Sequence, residues 1–219
     1  MISIAIDGTS GAGKSSVADE VCKKLNFLHL NTGELYRAIA LKANKCGIDY
    51  NNEEALNNMI ISTIIDVKYI DGKQVVYLDG ENVAGNLHNP EMSKGASLVS
   101  QFRAVRESIK ELQRRFANEF DIVIEGRDIG TEILPNATYK IFLTASPEAR
   151  AERRVKQLIE DGQQNINYDE ILEAIKKRDY TDTHREISPL RQAEDAIFID
   201  SSNLTFDEVV NKILDIVKR

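Results

Sequence analysis

Cysteine is scarce in this 219-residue chain, tryptophan is absent, and histidine occurs only three times. Cys22 and Cys46 form no CxxC pair and no spaced framework, which excludes a disulfide scaffold and points to a reducing compartment. His29, His88 and His184 stand alone without ligand spacing, so they read as structural or surface residues rather than a metal site. No run is long and apolar enough to span a bilayer. No basic segment precedes the apolar residues 2–6, so no signal peptide is expected, and the cytoplasm is the expected location. A basic excess is missing too. The formal net charge of -7 argues against a general nucleic-acid binder. A few clustered arginines can nevertheless hold phosphorylated small molecules locally. Neither an internal repeat nor a low-complexity stretch is present.

The pattern that is there begins with alternation. Residues 2–6 read as a buried strand. Val17, Val21 and Leu25 then recur at helical spacing, and residues 27–30 form a second short strand. Thr32 is placed to cap a helix through Leu35 and Ile39. Strand, helix, strand, helix implies a parallel sheet with helices on both faces. After about residue 61 the pattern changes. Residues 67–70 and 74–78, with Asp71-Gly72 and Asp79-Gly80 as turns, read as an antiparallel meander inserted beside the core. Asn89-Pro90 opens helical sequence, and Val105, Ile109, Leu112 and Phe116 form an apolar stripe. Residues 121–124, 139–143 and 196–200 read as further core strands. Ser146-Pro147 opens a helix rich in arginine, residues 161–167 read as a mobile polar loop, and residues 205–208 form a capping box for the last helix.

Gly8, Thr9, Ser10, Gly11, Ala12, Gly13, Lys14 and Ser15 fit G-x-x-x-x-G-K-[ST], followed by Ser16, between a buried strand and an amphipathic helix. Such a loop turns successive backbone N–H groups onto a phosphate, and the helix N-terminus adds its positive end. Lys14 can then reach the β and γ phosphates of ATP, and the Ser15 hydroxyl can bind Mg²⁺. A guanine-reading N-K-x-D is missing, since Asn211-Lys212-Ile213-Leu214 lacks the aspartate.

Phosphoryl transfer to a phosphorylated acceptor needs several cations from different segments. Arg37, Arg106, Arg127, Arg178 and Arg185 lie at predicted element edges, the last two near a late loop. Arg127 follows the strand at 121–124, at the carboxyl end where ligands bind in open α/β sheets. Arg150, Arg153 and Arg154 read either as a lid over ATP or as a solvated basic face paired with Glu148 and Glu152. Tyr36 is either a neighbour of the acceptor or a core aromatic.

With these residues the chain resembles the bacterial cytidylate kinase family over nearly its whole length. The matching blocks are residues 7–16, 32–37, Ala96-Ser97, residues 105–107, 126–131 and 140–143, Arg178-Asp179, Asp182 and residues 185–190. The resemblance implies a (d)CMP kinase, a transferase using ATP with Mg²⁺. It implies Arg37, Arg127 and Arg185 on the acceptor phosphate, with Thr32 on the acceptor side. It implies Ser97, Arg106 and Asp128 reading cytosine, and Arg178 and Asp182 on the sugar. Lys14, Arg127, Arg153, Arg154 and Arg185 are the expected catalytic set, and Glu125 is expected to orient Mg²⁺-bound water. Departures stand out as well: Asn31 and Glu125 replace expected aspartates, Thr9 replaces a proline, and Thr181 and His184 vary the late arginine segment.

The expected architecture is a three-layer P-loop NTPase-type α/β fold with five parallel strands, an inserted monophosphate-binding region and a short lid. One domain is expected over residues 1–219: core at about 1–60, 99–146 and 186–219, insert at about 61–98, lid at about 147–185. Expected partners are small-molecule nucleotides, with no nucleic acid or membrane, and the expected state is a monomer. Another P-loop small-molecule kinase is the alternative enzyme, and a nucleotide-dependent switch the alternative of another class.

Overall fold

Side-chain alternation along the strands decides which helices cover which face of the sheet. In the computed structural model, which describes residues 1–218, β1 (Ser3–Asp7) is central. β6 (Ile122–Gly126) and β7 (Tyr139–Thr144) pair with it on either side, and β2 (Leu28–Asn31) and β8 (Ile197–Asp200) form the edges of the all-parallel sheet β2-β6-β1-β7-β8. Ile4, Ile6 and Val123 point to one face, where α1 (Lys14–Leu25) and α8 (Phe206–Val217) pack with Val17, Val21, Val210 and Ile213. Ala5, Ile122 and Ile124 point to the other, under α2 (Thr32–Lys45) and α5 (Arg103–Glu119). All these side chains are buried, as a doubly covered parallel sheet requires. Arg219, the last residue of the third expected core segment, lies outside the described residues.

Between α2 and α5 the chain forms α3 (Glu53–Ile61), the meander β3 (Ile65–Ile70), β4 (Lys73–Leu78) and β5 (Glu81–Asn82), and α4 (Pro90–Val99). The insert has no separate core: Leu56, Val67, Val76, Leu87 and Met92 belong to the same apolar cluster as Leu30 and Ile124. It also closes the edge of the main sheet. Gln74 on β4 accepts from Asn31 N–H and donates to Asn31 O, which satisfies an exposed strand edge with a side-chain amide. The expected lid segment is a hairpin of two helices, α6 (Pro147–Glu160) and α7 (Tyr168–His184), joined by residues 161–167. Ser146 caps α6, Asn167 caps α7, and Thr205 with Glu208 forms the capping box of α8.

Two local expectations are corrected. Thr32 does not cap α2 from outside but is its first residue, and its hydroxyl donates instead to Glu125 O at 2.7 Å. Arg178 is not near a loop: it lies inside α7, while Arg185 ends that helix.

Candidate active site

The phosphate loop leaves the carboxyl end of β1 and must pass close to β7. A Cβ at residue 8 would lie 1.8 Å from Leu143 O, and Gly8 holds φ at 148°, so only glycine fits. The Thr9 hydroxyl, standing where a proline was expected, meets the Thr144 hydroxyl at 3.2 Å and ties the loop to the end of β7. Lys14 Nζ donates to Gly8 O and Thr9 O. Burial, and after it the Arg127 charge, holds the Lys14 ammonium well below the usual lysine range.

The loop forms one end of a cleft of about 580 Å³ at the carboxyl edge of the sheet. Ser10, Gly11, Gly13, Lys14, Ser15 and Ser16 line it, whereas Gly8, Thr9 and Ala12 do not. Thr32, Arg37, Ser97, Arg106, Glu125, Arg127, Asp128, Arg153, Arg178, Asp182 and Arg185 share the same cleft. Residues dispersed over the chain thus face one volume.

Within it the cations sort into two groups, and not as expected. Arg127 donates from Nε to Asp182 at 2.8 Å. Arg178 stands with Arg127 and Arg37; burial, and then Arg127, pushes its guanidinium down to about 10. Burial likewise lowers Arg37. In the second group Arg106 is bonded to Asp128, and Arg185 Nη2 lies 3.8 Å from Asp128. Tyr36 lies under the Arg106 guanidinium at 5.6 Å and also lines the cleft. Arg185, expected on the acceptor phosphate, therefore sits with the pair expected to read the base, and Arg178, expected on the sugar, sits with the phosphate-side arginines.

The arginines of α6 divide as well. Arg153 lines the cleft and donates to Ser201 Oγ and O. Arg154 is exposed, bonds Gln157 and does not line it. Arg150 is no lid surface residue. It is buried and donates to Ala145 O, Ser10 O and Asp179, clamping the phosphate loop to α7.

Two further features were not recognised from sequence. Asp7 accepts from Ile129 N–H and Gly130 N–H and so holds the turn after Asp128. Burial pushes its carboxyl up to about 6. His29 lies between Asp19 and Glu125. No local spacing announces these contacts, because each partner comes from a different strand or helix.

Glu125 is buried, and burial pushes its carboxyl up; His29, Lys14 and Ser15 pull it further down, to below the ordinary carboxylate value. Glu125, Ser15 and Asn31 offer hard oxygen donors beside the loop, which suits Mg²⁺. Among the described residues no group of three or more His, Cys, Asp or Glu is arranged to hold a metal. A Mg²⁺ ion bound through nucleotide phosphates, water and one or two side chains needs none.

Comparison with known proteins agrees with this geometry. The family profile described as cytidylate kinase matches residues 4–219. The chain is 45% identical to a cytidylate kinase of Caldicellulosiruptor bescii over 215 residues, covering 98% of this chain and 95% of that protein. It is 43% identical to the Bacillus licheniformis cytidylate kinase over 217 residues, covering 99% and 96%. Among solved structures, a shikimate kinase from Bacteroides thetaiotaomicron superposes with TM-score 0.50 at 14% identity, covering 100% of this chain and 99% of that one, a likeness of fold. A phosphate loop, a cationic cleft and a near full-length match in sequence converge, and the chain belongs to the cytidylate kinase family.

Proposed function

We propose that the chain transfers the γ-phosphoryl group of ATP to CMP or dCMP, giving ADP and CDP or dCDP. The observation that carries this reading is the cleft itself: a phosphate loop at one end, and the buried Arg106–Asp128 pair with Ser97 at the other. Cytosine presents an exocyclic amino donor that the Asp128 carboxylate accepts. Uracil presents a carbonyl there and leaves that carboxylate unpaired or repelled.

Between the two ends, Arg37, Arg127 and Arg178 would hold the acceptor phosphate, with Asp182 orienting Arg127 and within reach of the sugar. The loop amides and Lys14 would hold the donor phosphates, and Arg153 would approach from α6. Mg²⁺, when bound with ATP, would be held by Ser15 and through water by Glu125, and would neutralise charge on the donor phosphates. The chain supplies alignment and charge stabilisation, with no covalent intermediate. Closure of the α6–α7 hairpin over the cleft would exclude water and limit ATP hydrolysis. The proposed setting is the cytoplasm, as a monomer, with small nucleotides as the only partners. Free Cys22 and Cys46 support a reducing compartment.

A panel of acceptors in a coupled ADP-release assay tests the reading. CMP and dCMP should turn over, UMP far more slowly, and non-nucleotide acceptors such as shikimate not at all. Absence of CDP from ATP, Mg²⁺ and CMP would refute it.

A further inference from the structure

We propose that His29, braced by Asp19, is the positioning residue that fixes the Glu125 carboxylate on the metal side of the phosphate loop. The inference rests on the kinase reading above and adds a residue to it.

Parallel pairing of β2 with β6 sets His29 opposite Val123 and Asn31 opposite Glu125. Paired residues on neighbouring parallel strands point to the same face, so His29, Asn31, Val123 and Glu125 share the face covered by α1. On α1, Ser15 and Asp19 are one turn apart and therefore on one side of the helix. Strand and helix together thus bring Ser15, Asp19, His29, Asn31 and Glu125 side by side, with His29 and Glu125 inside and Ser15 and Asp19 exposed.

The contacts run in a line. His29 Nδ1 meets Asp19 Oδ1 at 2.6 Å. His29 Nε2 faces Glu125 Oε1 at 3.4 Å. Both facing atoms are buried and neither has a hydrogen-bond partner, so the contact is a charge contact short of a hydrogen bond. Asn31 Nδ2 donates towards Ser15 Oγ at 3.5 Å, so the neighbour of Glu125 on β2 is a neutral amide. The backbone of His29 is held from the insert, where the Tyr69 hydroxyl donates to His29 O at 2.9 Å.

Chemistry explains the arrangement. Glutamate carries one more rotatable bond than aspartate, and an unrestrained carboxylate on a longer stem is ordered only at an entropic cost. A protonated imidazole carries an N–H on each side of a rigid ring, so it can face two carboxylates at once and transmit the position of one to the other. With one oxygen of Glu125 facing His29, the other is left for the Ser15 side. Outer contacts of this kind commonly change metal affinity or activity ten- to a hundred-fold when removed.

Mn²⁺, read by its EPR signal in the presence of ADP, reports the metal side without turnover. In His29→Leu, Mn²⁺ affinity and kcat should each fall roughly tenfold, with the KM for CMP unchanged and Tm close to the parent's. His29→Gln, which keeps a polar N–H group facing Glu125, should recover part of both losses. Parent-like Mn²⁺ affinity and kcat in His29→Leu, or a glutamine variant no better than the leucine one, would overturn the proposal. If His29→Leu does not fold, Asp19→Ala carries the test: weakened Mn²⁺ binding supports the brace, and unchanged binding sinks it. A parent protein that forms no CDP refutes the kinase reading, while the Mn²⁺ comparison still decides the role of His29.

Discussion

Asp128 shows how one carboxylate serves both packing and recognition. It is buried, bonded to Arg106 and 3.8 Å from Arg185. Alanine there would leave the buried Arg106 guanidinium without its side-chain acceptor, which is strongly destabilising and obscures selectivity. Asp128→Asn keeps an acceptor for Arg106 and adds an amide donor that suits the uracil carbonyl. The ratio of kcat/KM for CMP over UMP should fall roughly 10²-fold, with the KM for ATP nearly unchanged. Steady-state assays with both acceptors decide it, and an unchanged ratio removes Asp128 from base reading. Asp7 offers a different measurement. Its folded value of about 6 lies above the ordinary 3.8. The folded state therefore holds more proton between those values, and Asp7 costs stability as pH rises through that window. The ionised carboxylate costs about 3 kcal/mol at neutral pH, partly offset by whatever the Ile129 and Gly130 amides lose in a variant. Urea unfolding of parent and Asp7→Asn at ~pH 4 and ~pH 7 should show the difference moving in the variant's favour by up to ~3 kcal/mol. A difference constant with pH would mean that the buried carboxyl does not titrate there.

At the scale of elements, what the sequence reveals depends on how local the signal is. The phosphate loop, the capping box at Thr205 and the Asp-Gly turns of the meander are each written within a few residues, and each forms as read. The five core strands are short apolar runs, so they too are legible; the inner β1 and β6 are buried on both faces, while the edge strand β8 exposes Ile197 and Phe198. α7 is not: only Asp182 is buried along its 17 residues, so no apolar stripe marks it. α3 turns only Leu56 and Met59 inward, too few to show a period. The grouping of Arg178 with Arg127, and of Arg185 with Asp128, is equally hidden, because it depends on where α7 lies against the sheet. Packing of α4 on α2 supplies the prediction at this scale. A Cβ on Gly95 would lie 2.8 Å from Ala40 Cβ and 2.9 Å from Tyr50 Cζ. Alanine would regain about 1 kcal/mol of helix propensity, so Gly95→Val is the clearer probe. Overpacking should cost about 1–3 kcal/mol and displace α4, which carries Ser97. The KM for CMP should rise more than that for ATP. Equal effects on both substrates would mean that α4 does not carry part of the acceptor side.

Taken whole, the molecule is acidic, with net charge -7, yet its cleft gathers Lys14, Arg37, Arg127 and Arg178. Glu125 and Asp182 offset these charges only in part. Arg178 is the sharpest case. Its Nε is buried without a partner, and the neighbouring Arg127 and Arg37 charges disfavour its ionised form. Such a group lowers the stability of the fold and is compensated only when an anion lies among the guanidinium groups. The same electrostatics that make the cleft receptive to a phosphate therefore make the protein less stable than it could be. Arg178→Met keeps a long side chain of similar reach without the charge. By itself the variant should melt a few degrees higher than the parent, since each kcal/mol is worth about 2–4 °C in a chain of this size. Saturating CMP should raise its Tm less than it raises the parent's, because stabilisation by a ligand follows its affinity for the folded state. The pair of shifts, measured in one thermal-melt series with and without CMP, must move in opposite directions. A variant that melts lower and still gains the parent's full increment from CMP would show that Arg178 is a structural cation with no part in binding the acceptor.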